Sequence, residues 1–169
     1  MPHSDNRLRP QVLTEFNHLE FEPKTVLDVG CGAGANLEFY QPWWPESKWT
    51  GLEVFGPYID RFFLFDRYDS LIYGDVRSLT NFNYSLVIFG DVLEHMSRDE
   101  ALNVLDRALE AAEYVVVALP IIHYPQGAIA GNEHETHLSD WTFDDFANMT
   151  ECVFTSRNDV TGSFILTRN

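Results

Sequence analysis

The sequence predicts a doubly wound α/β fold. A mostly parallel seven-stranded sheet carries helices on both faces and includes an antiparallel terminal strand. Three features of the chain say so. Short apolar runs with a β-branched bias alternate with helical patterns through the first five strands, as parallel strands with crossover helices require. The first run, Val26-Leu27-Asp28-Val29, stops at Gly30-Cys31-Gly32-Ala33-Gly34, and a helical segment follows from Ala35. The last two runs are joined by a short turn at Thr161-Gly162, which calls for antiparallel pairing.

Taken in order, residues 1–23 form a lead-in. Leu8, Val12, Phe16 and Leu19 recur in it at helical spacing, with Pro10 confined to the start. The first strand follows, buried on both faces. The helix Ala35–Tyr40 is ended by Pro42 and Pro45. Trp43, Trp44 and Trp49 crowd this corner and are expected to pack in the core or beneath a lid. Trp49–Val54 is the second strand and contains the acid Glu53. Gly56-Pro57 opens a helix, with proline where helices accept it, and Ile59, Phe62 and Phe63 are its expected buried side. Leu71–Tyr73 and Leu86–Phe89 are the third and fourth strands. Each is followed by Gly-Asp, at Gly74-Asp75 and Gly90-Asp91.

Ser97-Arg98-Asp99-Glu100 is a capping-box pattern. It opens a helix whose apolar face is expected to hold Leu102, Leu105, Leu109 and Ala112. Tyr114–Leu119 is the fifth strand. Residues 121–140 then show no period, and a connection of that length is usually functional or mobile. They are expected to form a functional loop or lid. A second capping pattern, Thr142–Asp145, opens a short helix to about Met149. Val153–Val160 and Ser163–Thr167 are the terminal strands.

Composition narrows function. The chain has 169 residues, of which 45% are apolar, so one folded domain over residues 1–169 is expected rather than disorder. Lys and Arg number 11 against 26 Asp and Glu, a formal net charge of −15. That field repels phosphate, so neither nucleic acid nor an anionic membrane is expected as a partner. No apolar run is long enough to cross a bilayer, and the start is not a signal peptide, so a cytoplasmic location is expected. The two cysteines, Cys31 and Cys152, have no metal-type spacing and are expected to be free thiols.

A strand, a glycine-rich turn and a helix form one half of a nucleotide-type site, with unpaired helix N–H groups facing the ligand. Asp28-Val29-Gly30-Cys31-Gly32-Ala33-Gly34 resembles motif I of the class I S-adenosylmethionine-dependent methyltransferases. Gly30, Gly32 and Ala35 also satisfy the looser dinucleotide pattern. The resemblance extends over about residues 24–169 and implies a Rossmann-like methyltransferase fold. It also implies S-adenosylmethionine as cofactor and methyl transfer to oxygen or nitrogen of a small-molecule acceptor. An NAD-dependent oxidoreductase and a cofactor-binding protein without turnover are the alternatives. No Arg or Lys occurs from Thr25 to Ser47, so nothing basic is expected on the turn; this suits a sulfonium cofactor better than a pyrophosphate.

In open α/β sheets the ligand lies beyond the carboxyl ends of the strands. Four acids lie at or near such ends: Asp28, Glu53, Asp75 and Asp91. The resemblance places Glu53 on the ribose hydroxyls, beside Val54. It places Asp75 at the adenine amino group with the Val76 N–H, and Asp91 beside the methionine part. Asp28 is expected behind the turn or at the cofactor's amino group. Gly30, Cys31, Gly32 and Gly34 complete the expected cofactor site. Of six histidines, His3 and His18 are expected at the surface and His95 as a structural residue. His123, His134 and His137 fall in the acceptor-side segment and are the candidate base or substrate-binding groups. Some members of the wider family hold a divalent ion with a Glu-His pair after the fourth strand. Glu94-His95 with His134 or His137 imitates that, but the spacing His134-Glu135-Thr136-His137 is not the zinc protease motif, and no metal is expected.

Overall fold

One seven-stranded sheet runs through the chain in a computed structural model that describes residues 7–168. His3, expected at the surface, lies outside the described residues. The strands are β1 (Thr25–Val29), β2 (Lys48–Glu53), β3 (Ser70–Tyr73), β4 (Leu86–Gly90), β5 (Tyr114–Pro120), β6 (Cys152–Arg157) and β7 (Thr161–Leu166). Their order in space is β3-β2-β1-β4-β5-β7-β6. Strands β1 to β5 are mutually parallel, and β7 lies antiparallel between β5 and β6. The order reverses at β1, which pairs with β2 on one side and β4 on the other. That is the switch point at which open α/β sheets form their crevice.

The register aligns Val29 with Leu52 and Phe89, Glu53 with Tyr73, and Gly90 with Ala118. The acid-bearing ends therefore share one edge.

Alternate residues of the strands feed two cores. Leu27, Val87, Phe89, Val115 and Val117 pack with Val104, Leu105, Ala108 and Leu109 of α5 (Arg98–Ala111) and with Phe146 of α6 (Phe143–Ala147). On the other face, Val26, Ile88, Val116 and Ile165 meet Val12 and Phe16 of α1 (Arg9–His18) and Leu37 and Tyr40 of α2 (Ala35–Tyr40). Trp44 and Trp49 belong to this second core, whereas Trp43 is exposed.

Four local expectations change. Leu19 is exposed because α1 ends at His18 and Glu20 turns left-handed. The helix after Gly56 is two pieces, α3 (Gly56–Arg61) and α4 (Leu64–Arg67). Phe63 adopts φ 52° between them, and its ring faces solvent instead of the core. In α5 the buried face is Ala101, Val104, Leu105, Ala108 and Leu109, so Leu102 points outward. Thr161 and Gly162 lie inside β7; the connection from β6 is residues 158–160, closed by the Asn158 carboxamide oxygen accepting from Val160 and Thr161 N–H. Both capping boxes form, at Ser97–Glu100 and Thr142–Asp145.

The α5 correction is testable. Leu105→Ala is expected to cost about 2–5 kcal/mol in urea unfolding, the range for truncating a buried leucine. Leu102→Ala is expected to stay near ~0.5 kcal/mol, as surface substitutions do. Equal losses would place Leu102 in the core.

Candidate functional site

The turn after β1 needs a backbone that ordinary residues resist. Gly30, Gly32 and Gly34 have φ of 61°, 48° and 74°, in the left-handed region. Space is also short. A Cβ on Gly30 would stand 2.7 Å from Val92 Cγ2, and one on Gly34 would stand 2.7 Å from the Arg67 guanidinium. The turn is held from β2 by Cys31 N–H donating to Leu52 O and by Gly32 N–H donating to Glu53 Oε2 at 2.8 Å. Glu53 Oε1 accepts from Phe55 N–H, also at 2.8 Å. Each oxygen of the carboxylate keeps a lone pair for a further donor. Burial pushes the Glu53 carboxyl above its usual range, against the pull of these two N–H donors.

Arg67 corrects one expectation. No basic residue is near the turn in sequence, yet the guanidinium donates to Ala33 O and Gly34 O. It braces the outer side of the turn and does not line the cavity.

Beneath the turn Asp28 is fully buried. Tyr68 Oη–H donates to Oδ2 at 2.6 Å, and Asn36 Nδ2 donates to Oδ1 at 2.8 Å. Arg9 Nε–H donates in turn to Asn36 Oδ1. The network ties β1, α1, α2 and the residue after α4 together. Burial raises the Asp28 carboxyl despite these donors. Asp28 does not reach the cavity, whereas Asn36 does.

The cavity lies over the carboxyl edge of the sheet and measures about 330 Å³, large enough for a small ligand. Gly30, Cys31, Gly32, Glu53, Val54, Asp75, Val76 and Asp91 all line it. Gly34, turned against Arg67, does not. Cys31 and Cys152 are free thiols, and burial raises both. Asp75 is engaged by Arg77, which the sequence reading did not include: Nη2 donates to Oδ2 at 2.6 Å and Nη1 reaches Glu100 at 2.9 Å. The Arg77 hydrogen bonds hold the Asp75 carboxyl below its ordinary value. Asp91 adopts φ 54° and donates its N–H to Ala118 O. Left-handed backbone costs a side-chain-bearing residue about 1–3 kcal/mol, and such positions cluster at functional sites.

The segment 121–140 forms the opposite wall. Tyr124, Gln126, Ile129, Asn132, His134, Glu135 and His137 line the cavity from it. Main-chain bonds fix the segment at both ends: Ile121 N–H to Val160 O, and Leu138 and Ser139 N–H to Glu94 O. His134 and His137 reach the cavity. His123 does not; it sits outside, with Nδ1 at 2.9 Å from Asp140 Oδ2. His95 is in the cavity too, where burial and then the adjacent His137 hold its ring down at about 4. Glu94 is buried beneath both rings, and burial, with Asp91 next, raises its carboxyl well above the usual range. Glu94, Glu135 and Arg77 are the lining charges that strand-end reasoning passed over. The Glu94-His95 pair in Asp91-Val92-Leu93-Glu94-His95 was the signal available for the first.

A model of a methyltransferase domain matches residues 3–160. A search of curated proteins gave no match. Solved structures share the fold. The PH0226 protein of Pyrococcus horikoshii superposes with TM-score 0.67 at 12% identity, over 97% of this chain and 90% of that one. The N-terminal domain of EvdMO1 with SAH bound gives 0.64 at 13%, over 98% and 83%. NcsB1, an O-methyltransferase from neocarzinostatin biosynthesis solved with S-adenosyl-L-homocysteine and 1,4-dihydroxy-2-naphthoic acid, gives 0.62 at 18%. The match covers 98% of this chain and 59% of NcsB1.

The Asp28 network generates its own test. Tyr68→Phe leaves one buried carboxylate oxygen without its donor. A loss of about 1.5–3 kcal/mol in unfolding free energy is expected, the range for a hydrogen bond to a charged group. Unchanged stability would show that the bond does not hold the turn in place.

Proposed function

From the premise that this chain belongs to the methyltransferase-domain family, we propose that it moves the methyl group of S-adenosylmethionine to oxygen or nitrogen of a small-molecule acceptor. The observation that carries this reading is the charge of the cavity. Glu53, Asp75, Asp91 and Glu135 line it beside Glu94, whose burial favours the neutral acid, and Arg77, already paired with Asp75 and Glu100, is the one lining guanidinium among the described residues. A sulfonium cofactor with a free amino group gains from such a field, whereas a pyrophosphate does not.

The residues divide the work. Gly30, Cys31 and Gly32 let the cofactor approach the main chain. Glu53 accepts the ribose hydroxyls beside Val54, and Asp75 with the Val76 N–H takes the adenine edge. Asp91 faces the methionine end. Asp28 and Gly34 act from behind: Asp28 positions Asn36 and the turn, and Gly34 gives room to Arg67. Methyl transfer requires donor and acceptor in line, so positioning supplies much of the acceleration. His137, on the acceptor wall, offers a nitrogen to the acceptor, while His134 stands nearer Asp75. The bound naphthoic acid of NcsB1 supports a small acceptor in a cavity of this kind. No helix among the described residues is long and apolar enough to cross a membrane, and the net charge of −15 argues against a nucleic-acid partner. Residues 121–140 act as a lid over one domain.

S-adenosylhomocysteine is expected to raise the melting temperature of the chain, and NAD to leave it unchanged. In Glu53→Ala the stabilisation is expected to vanish, because two charge-assisted bonds worth about 1.5–3 kcal/mol each are removed. Stabilisation by NAD alone would overturn the reading. So would full affinity for S-adenosylhomocysteine in folded Glu53→Ala, for the ribose assignment.

The lid is checked by hydrogen exchange. Amides within 122–136 are expected to exchange faster than those of β5 in the free protein, and to slow when S-adenosylhomocysteine is bound. Protection equal to that of β5 in the free protein would make the segment a fixed wall.

A further inference from the structure

Tyr58 carries a hydroxyl that the cofactor contacts leave unused. The residue is 3% exposed and lines the cavity, and its Oη has no hydrogen-bond partner among the described residues. A buried hydroxyl without a partner bears a desolvation penalty. Native structures keep such groups where something else satisfies them.

Glu135 lines the same cavity from the opposite wall, and its backbone is firmly placed. Ile129 and Asn132 pair across a tight turn in which Ala130 and Gly131 adopt φ of 51° and 81°. The 3-10 turn Glu133–Glu135 follows, capped by the Asn132 carboxamide oxygen, which accepts from His134 N–H at 3.0 Å. Gln126 Nε2 donates to Glu135 O at 2.7 Å. The carboxylate is left almost free. Its one hydrogen bond among the described residues is a weak 3.5 Å contact from Asn132 Nδ2.

Three groups on three elements feel that charge. Burial raises the Tyr58 hydroxyl on α3, and Glu135 adds to it. Burial raises the Glu53 carboxyl at the end of β2, against the Phe55 and Gly32 N–H donors, and Glu135 again adds to it. Glu94, in the turn after β4, is raised by burial, then by Asp91, and by Glu135 after them. The Glu135 carboxylate therefore faces the space between the Glu53 end of the cavity and the Glu94 end.

The inference rests on the methyltransferase reading, in which Glu53 holds the ribose and Asp91 faces the methionine end. The sulfur of the cofactor joins those two parts, so it falls in that space. A sulfonium there is attracted by an unpaired carboxylate, whereas a thioether is not. In the transfer the S–CH₃ bond breaks and its electron pair stays on sulfur. The methyl joins an acceptor oxygen or nitrogen, which gives up a proton. Sulfur thereby loses its positive charge.

We propose that Glu135 makes the site distinguish the charged methyl donor from the product that has lost the sulfonium charge, and that the Tyr58 hydroxyl hydrogen-bonds the same ligand. The charge on sulfur is already fading in the transition state, so Glu135 favours donor capture and product release and does not speed the transfer itself. It is a specificity residue and not a catalytic one.

The test is calorimetric titration of S-adenosylmethionine and S-adenosylhomocysteine into the full chain without acceptor, with folding checked by circular dichroism. Glu135→Gln is expected to weaken S-adenosylmethionine at least about tenfold relative to S-adenosylhomocysteine, as loss of a nearby opposite charge does. Glu133→Gln removes the same charge from the same turn, but Glu133 is exposed and outside the cavity, so the ratio is expected to match the parent's. Tyr58→Phe is expected to weaken both ligands about 3–10-fold, as loss of a neutral hydrogen bond does, and to leave their ratio unchanged. The free Tyr58→Phe chain is expected to melt no lower than the parent, since no bond within the protein is lost. If folded Glu135→Gln keeps the parent ratio, or Glu133→Gln shifts it equally, the role of Glu135 is overturned. The methyltransferase reading survives that result as long as both ligands bind the parent. If neither binds the parent, the reading falls and the inference with it. Parent-like binding of both ligands by Tyr58→Phe would remove the hydroxyl from the site.

Discussion

The left-handed turn at Gly30, Gly32 and Gly34 is the constraint on which the other elements converge. Each neighbour meets it differently. Strand β2 supplies Leu52 O and the Glu53 carboxylate, α4 supplies Arg67, and the segment after β4 presses Val92 against Gly30. Below it, Asp28 binds Tyr68 and Asn36. A backbone that only glycine adopts cheaply is thus bolted down by residues far apart in sequence. The main chain is then free to face the cavity with no Cβ in the way.

Electrostatics follows from the same arrangement. Parallel strands bring their carboxyl ends to one edge, and here that edge carries acids. Two arginines limit the repulsion from different sides. Arg67 binds carbonyls behind the turn, and Arg77 bridges Asp75 and Glu100 at the rim. Neither faces the cavity as a free cation. Asp75 is thereby paired through Arg77, and Glu53 through the main-chain donors of Gly32 and Phe55.

Local chemistry was legible in the sequence. The strands, the turn and both capping boxes depend on neighbours within a few residues, and Val26–Gly34 and Ser97–Glu100 form as read. Face assignments were less legible. Leu102 fits a helical repeat, but the sheet selects the stripe through Ala101, Val104, Leu105 and Ala108. Phe63 fits a helix that breaks at that residue. Arg67 was invisible because its bond to Ala33 spans 34 residues. In the cavity, eight of the ten residues expected to bind cofactor line the wall. Asp28 and Gly34 lie behind it, because one is covered by Asn36 and Tyr68 and the other is turned against Arg67.

The two walls of the cavity are specified by different physics. The wall along the strand ends comes from a contiguous motif and parallel register, so it is specified by the pairing of β1, β2 and β4. The opposite wall comes from an aperiodic segment whose place depends on a few main-chain bonds, above all those to Glu94 O. Glu94 therefore joins both: its carbonyl anchors residues 138 and 139, and its carboxylate faces the space they enclose. Substitutions in 122–136 can reshape this second wall without disturbing the strand ends, whereas a change in the 3-10 turn Leu93–His95 touches both. On the function proposed above, acceptor choice would be set by that segment, and the turn after β4 is the element that touches both walls.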